Sequence, residues 1–459
     1  VLRQKRENTD VLIIDASKGF IKEGKNNKLR ASDIKRIADT FIKRENIPKF
    51  SRVVSREEIR SNDYNLNIPR YVDSSEAAEH WDVYASMFGG IPTAEIDEMS
   101  EFWTAFPALK KALFTESGIP YVNVSTPDIK SAIKSHPDVV GFEKAFNAAF
   151  STFPAFLKEE LIDRMGSIEI SKAETVLSAD IFERLKEIPL IDKYAAFQLL
   201  DDDWTGISID LEMLQTEGFA ATKKVDPNLV IKKKDGKDQE VQEGWVGHII
   251  PFDLVQATLL SAETDELHGL ESRLAEIPSE YESILDEMTE EDKESCNDVL
   301  TEEGDAFVPK EVSKKIKELK KDRSPESVAL RTLLEKVESL VKSEKEIKAE
   351  IKAKGAALQA KTKDTIESLS DEQALDLLEK KWIAPLIESI HKLPDTVIDS
   401  LVSKIQALQN KYATTFFEVE QQISETEATL SGMIDDLEGN EYDMLGLNEL
   451  KKLLGGSAE

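Results

Sequence analysis

Few residues of this chain have the types and spacing of a catalytic or metal site. The five histidines, His80, His136, His248, His268 and His391, lie far apart and show none of the short spacings that zinc sites use. His80 beside Trp81 could act as a base, although a partly exposed helix residue is the ordinary reading. Cys296 is the only cysteine, which excludes an intramolecular disulfide. Its acidic surroundings raise rather than lower a thiol's pKa. Asp201, Asp202 and Asp203, followed by Trp204, could hold a divalent cation or could be a charged helix end or loop. There is no G-x-x-x-x-G-K-[ST] phosphate loop, no G-x-G-x-x-G after a strand and no G-x-S-x-G elbow.

What remains is electrostatic. Residues 1–70 carry 17 basic and 10 acidic residues, a net +7, whereas residues 71–459 carry a net −37. The total of −30 over 459 residues disfavours whole-surface binding to nucleic acid or anionic membrane. Clustered Lys and Arg on the loops of the head can neutralise phosphates, and the candidate backbone contacts are Lys25, Lys28, Arg30, Arg52, Arg56 and Arg70. The competing reading is an ordinary solvated face.

These groups need elements to hold them. Residues 11–14 read as a buried strand, and with no strand cluster nearby it is expected to be an orphan of a sheet lying upstream. A basic loop over 18–30 leads to a helix with Ile34, Ile37, Ala38 and Phe41 on one face. Residues 51–54 could be a short extended piece, and Ser55 with Glu58 makes a capping box. The chain then reads as a helical domain with an aromatic core over 76–255, interrupted by a small β-insert over about 205–250. That insert takes Ile207, Ile209 and Leu211 as strand-like and Asp235-Gly236 as a hairpin turn. Residues 256–459 form the third expected domain, of long helices. The fold class is therefore mainly α.

Two apolar seams run through that last domain. Leu330, Leu333, Val337, Leu340, Ile347, Ile351 and Leu358 make one. Ile398, Leu401, Ile405, Leu408, Tyr412, Phe416, Val419, Ile423, Leu430, Met433 and Leu437 make the other, with a phase shift after Tyr412. They are expected to fold back as an antiparallel coiled coil. The seams either close on each other or dock on a partner's helices, with Leu330, Val337, Ile398, Leu401, Ile405, Leu408 and Tyr412 as the candidate docking residues. No apolar run approaches the roughly 18 residues of a membrane span, no signal peptide opens the chain, and a single cysteine suits the reducing cytoplasm.

The stretch Asn62, Asp63, Tyr64, Asn65, Leu66, Asn67, Ile68, Pro69, Arg70, Tyr71 carries a resemblance, together with 11–17, 26–29 and 51–55. It resembles the end of the catalytic region in the modification (M) subunit of type I restriction-modification systems, the N6-adenine DNA methyltransferases. The segments around 80–83, 89–92, 102–107, 190–194 and 439–443 look like the helical C-terminal extension of longer M subunits. That family binds S-adenosylmethionine through a D-P-x-x-G-T-G-like loop and holds the flipped adenine with N-P-P-[FY]. Neither motif occurs here. The resemblance therefore implies the C-terminal part of an M subunit, with residues 1–75 as the tail of the catalytic domain. No catalytic or cofactor residue carries over, and S-adenosylmethionine would be bound only by the complete subunit. Val1 in place of an initiating Met fits that expectation. The implied partners are the specificity and restriction subunits, with DNA reached through the complex. The alternative is a stand-alone coiled-coil protein with no role on DNA.

Overall fold

The computed structural model describes residues 9–75, 80–118, 120–234, 237–301, 304–322 and 324–454. Helices make up 66% of it. The helices used below are α1 (Ala31–Lys43), α2 (Arg56–Ser61), α3 (Val83–Phe88), α4 (Ile129–Ser135), α5 (Ile170–Arg184), α6 (Lys193–Glu217), α7 (Ser261–Glu287), α8 (Pro309–Leu319), α9 (Pro325–Glu367), α10 (Leu393–Lys411), α11 (Phe416–Asp435) and α12 (Glu441–Leu453). No described helix is long and apolar enough to cross a membrane. The chain divides into two interleaved compact units: residues 1–159, 169–206 and 385–459 in the first, and 160–168 and 207–384 in the second.

In the first unit, β1 (Val11–Ile14) is not an orphan. It pairs antiparallel with Ser51–Val54, in the register Val11 opposite Val54 and Ile14 opposite Ser51. The partner was legible only as an extended piece, because the basic segment and α1 separate the two strands by far more than a hairpin loop. Ile13, Val54, Ile59, Tyr71 and Val72 close a small core around this ladder. The expected basic loop is a second hairpin, β2 (Ile21–Glu23) against β3 (Asn26–Lys28), with Gly24 at φ +61° at its tip. In chain order Ser51–Val54 is β4. A three-stranded antiparallel sheet, β5 (Ile91–Pro92), β7 (Tyr121–Val124) and β6 (Phe114–Gly118) in that spatial order, sits within the region read as purely helical. The strands are too short to announce themselves against the helical spacing around them. The aromatic core is present: Phe106, Phe146, Phe150 and Phe153 are all buried, and Phe146 stacks on Phe150 at 4.7 Å. Residues 385–459 return to this unit, and α10 packs on α4 through Lys130–Asp399 (2.7 Å) and Lys134–Asp395 (2.6 Å).

In the second unit the β-insert reduces to one hairpin, β8 (Val225–Lys234) against β9 (Lys237–Gly247); the Asp235-Gly236 turn lies outside the described residues. Ile207, Ile209 and Leu211 belong to α6. The helical spacing Leu200, Trp204, Ile207, Leu211, Leu214, all buried, prevails over the alternation of 207, 209 and 211. The long helix α9 does lie in an antiparallel pair, but its partner is α7. Lys336 meets Glu287, Tyr281 meets Glu344, Lys354 meets Glu266 and Lys361 meets Glu263, so one number falls as the other rises. Leu330, Leu334 and Val337 of α9 bury against Ile284 and Leu285 of α7 and Val312 and Ile316 of α8. The two predicted seams fall in different units, the first in the second unit and the second in the first. The second seam is also broken: Tyr412 ends α10, and Thr415 starts α11 with a capping box to Glu418. The T-x-x-E signature at 415–418 explains the phase shift.

Candidate functional site

Two regions of the first unit can do something chemical or associative: the basic head and the C-terminal helices. In the head, the segment 62–71 is a built turn. Asp63 and Tyr64 both take left-handed backbone conformations, at φ +54° and +57°, which non-glycine residues adopt only at a cost of about 1–2 kcal/mol each. The Tyr64 N–H closes back on the Ile59 carbonyl at 2.9 Å, so the turn terminates α2. Asn62 donates from its amide to the Glu58 carbonyl at 3.1 Å. Asn65 accepts from the Asn67 N–H at 2.9 Å. Pro69 lies in a short 3-10 turn over Ile68–Arg70, while Leu66 remains exposed. The segment aims Tyr71 into the small core and places Arg70 in solvent.

The six candidate phosphate contacts separate into two groups. Lys28 pairs with Glu23 at 3.0 Å, Arg30 with Asp33 at 3.1 Å, and Arg52 makes two bonds to Glu58 at 2.9 and 3.0 Å. These three cations have carboxylate partners within the protein, although their side chains remain exposed. Lys25 at the β2–β3 tip, Arg56 and Arg70 are exposed and make no ion pair among the described residues.

Beside β1 the head carries two depressions. One is polar, about 420 Å³, lined by Asp15, Lys18, Arg30, Asp33, Arg36 and Lys49 among others. Asp15 accepts from the Ser74 hydroxyl at 2.5 Å and from the Ser17 N–H at 3.0 Å, and these bonds hold its carboxyl below the usual range. Four cationic side chains and two carboxylates thus share this pocket, and no glycine-rich loop lines it. The other depression is an apolar groove of about 580 Å³, lined by Val11, Leu12, Ile14, Ile34, Ile37 and Phe41 among others. It lies along β1, which among the described residues pairs only with β4.

The remaining chemical candidates are structural. Asp201, Asp202 and Asp203 lie inside α6 rather than at an end or in a loop. Burial pushes Asp201, Asp203 and the neighbouring Glu174 up from the carboxylate range, and no group of three metal-ligating side chains occurs among the described residues. The Cys296 thiol is buried and pushed up to about 11 by that burial, so it is protonated and unreactive at neutral pH. The backbone carbonyl of His80 accepts from Lys411, and Trp81 packs edge-on against Tyr412 at 5.9 Å.

The docking residues taken from the seams are core. Leu330 and Val337 are buried in the second unit; Ile398, Leu401, Ile405 and Tyr412 are buried in the first, and Leu408 is half-buried. Six of the seven are therefore covered by other residues of this chain, and Leu408 is partly so. Beyond the break at Tyr412, α11 and α12 carry exposed apolar residues, among them Phe416, Ile423, Leu430 and Met433.

Residues 1–80 match the family of N-6 DNA methylases. The chain is 34% identical over 84 residues to the type I restriction enzyme MpnII methylase subunit of Mycoplasma pneumoniae, covering 18% of this chain and 16% of that subunit. It is 43% identical over 76 residues to the MjaVII methylase subunit of Methanocaldococcus jannaschii and 40% identical over 76 residues to its MjaVIII counterpart, covering 16% of this chain and 13% of each. The matched stretch thus spans about a sixth or less of these curated relatives. No solved structure matches the chain. Residues 1–80 are thus similar to N-6 DNA methylases and to the methylase subunits of type I restriction enzymes.

Proposed function

We propose that this chain acts as the C-terminal region of a type I modification subunit. It completes the methyltransferase sheet, supports N6-adenine methylation of DNA by the whole subunit, and assembles that subunit with the specificity subunit. The restriction subunit joins the same complex. The observation that carries the reading is the groove beside β1. The face predicted from Ile34, Ile37, Ala38 and Phe41 exists, yet it lines an open groove, with Ile34 55% exposed. An apolar helix face next to an available strand edge is half of an α/β layer, and further strands cover such a face in α/β folds. The occupant in this reading is the catalytic sheet that carries the S-adenosylmethionine and N-P-P-[FY] motifs. Lys25, Arg56 and Arg70 then face the DNA backbone, and the helices after Tyr412 supply subunit contacts.

The groove is tested by co-purification. A separately expressed catalytic region should bind this chain, and Ile34→Asp and Phe41→Asp should each abolish binding while both variants keep their helical spectrum. Unchanged binding by folded variants would contradict the reading.

A further inference from the structure

From Phe416 an apolar strip follows the spacing of a coiled-coil seam. Phe416, Val419, Ile423, Leu430, Met433 and Leu437 alternate in steps of three and four, with Thr426 filling the remaining position and Leu437 falling two residues past the end of α11. All six apolar residues are exposed. Helix α12 does not cover them: it folds back with Lys451 on Asp435 at 2.7 Å and leaves the strip open. The charge around the strip is one-sided. Residues 412–450 contain ten acidic residues and no Lys, Arg or His. The positions that flank such a seam and select its partner carry Glu420, Glu427 and Asp436.

We infer that the strip on α11 is the docking site for an amphipathic helix whose apolar seam is flanked by Lys and Arg. The apolar residues supply the contact area, and the acidic flanks set orientation, on-rate and selectivity. A second copy of this chain is a poor occupant, because its own strip would bring carboxylates against carboxylates. Nucleic acid and anionic membrane are disfavoured by the same charge. The inference rests on the assembly reading for the existence of a partner chain, but the partner's chemistry follows from α11 alone. It also places the interface beyond the buried seam residues Ile398 to Tyr412.

Two synthetic peptides test it on the full chain. Both are about four heptads long with the same Leu and Ile seam; one carries Lys at every flanking position and the other Glu. Fluorescence anisotropy should show the Lys peptide binding at least about 10-fold more tightly, with that advantage shrinking as salt rises from about 50 to about 500 mM. Ile423→Asp with Leu430→Asp should weaken binding at least about 10-fold, whereas Ile231→Asp on the exposed β8–β9 ribbon should not change it. The triple variant Glu420→Lys, Glu427→Lys, Asp436→Lys should reverse the preference. Binding of neither peptide, equal binding of both, or self-association of the wild-type chain that Ile423→Asp abolishes would overturn the inference. Binding of the Lys peptide without binding of the specificity subunit would support it and sink the assembly reading instead.

Discussion

The phenol of Tyr71 donates to the backbone carbonyl of Asn65 at 2.6 Å, and this bond closes the turn that begins at Asn62. It ties the most distinctive stretch of the sequence to the core of the head, since Tyr71 is 5% exposed. Tyr71→Phe should therefore lower stability by about 1 kcal/mol, and Tyr71→Ala by about 3–5 kcal/mol. Tyr64→Gly relieves a left-handed residue whose side chain is exposed, and should leave stability within about 1 kcal/mol of wild type. Urea unfolding of the three variants checks all of this. A large loss at Tyr64 would show that its ring, not its backbone, matters to the fold.

Ile405 and Ile423 continue one sequence pattern but sit in opposite environments. Ile405 is fully buried and Ile423 is exposed. Ile405→Ala should cost about 2–5 kcal/mol, and Ile405→Asp should unfold the first unit. Ile423→Asp should change the unfolding midpoint little. Thermal unfolding followed by circular dichroism distinguishes them, and equal destabilisation at the two sites would contradict the assignment of core and surface.

The head makes a similar contrast among cations. Lys25→Ala, Arg56→Ala and Arg70→Ala should each weaken DNA binding by the assembled complex and reduce the salt slope by about one. Arg30→Ala and Arg52→Ala remove ion pairs with Asp33 and Glu58 and should leave the slope unchanged. Titrations of DNA at several salt concentrations provide the measurement.

His248 lies between two carboxylates, with Nδ1 2.6 Å from Asp226 and Nε2 3.1 Å from Glu217. The bond to Asp226 is the main reason its pKa is raised, opposed in part by burial. A raised folded pKa favours the charged ring in the folded state. The stabilisation is fully present below the unfolded value of about 6.5 and is lost as pH rises through the folded value. The unfolding midpoint of the second unit should fall as pH rises from about 6 to about 9 more steeply in wild type than in His248→Gln. Parallel pH curves would rule out this contribution.

The parts legible in the sequence were those whose signal is local. The apolar face of α1, the Ser55 cap, realised as the Ser55 hydroxyl accepting from the Glu58 N–H, and the phenylalanine core over 142–156 follow directly from spacing. The pairing of β1 with Ser51–Val54 did not, because nothing local records partners 37 to 43 positions away. Periodicity makes the seams legible as faces, but not what covers them, so Leu330 and Leu401 read like docking residues although α7 and α8, or α4, already bury their helices. Among the basic residues, sequence found the cluster, but only the structure separated Arg52, held by Glu58, from Arg56, which makes no ion pair among the described residues.

The proposed function holds that this chain supports methylation by the whole subunit without performing it. The direct measurement is transfer of radiolabelled methyl groups from S-adenosylmethionine to adenine in DNA, with purified specificity subunit present. The chain alone should transfer nothing, and adding the polypeptide with the S-adenosylmethionine and N-P-P-[FY] motifs should produce transfer that depends on this chain. Methylation by the chain and specificity subunit alone would contradict the account, as would a catalytic polypeptide that works equally well without it.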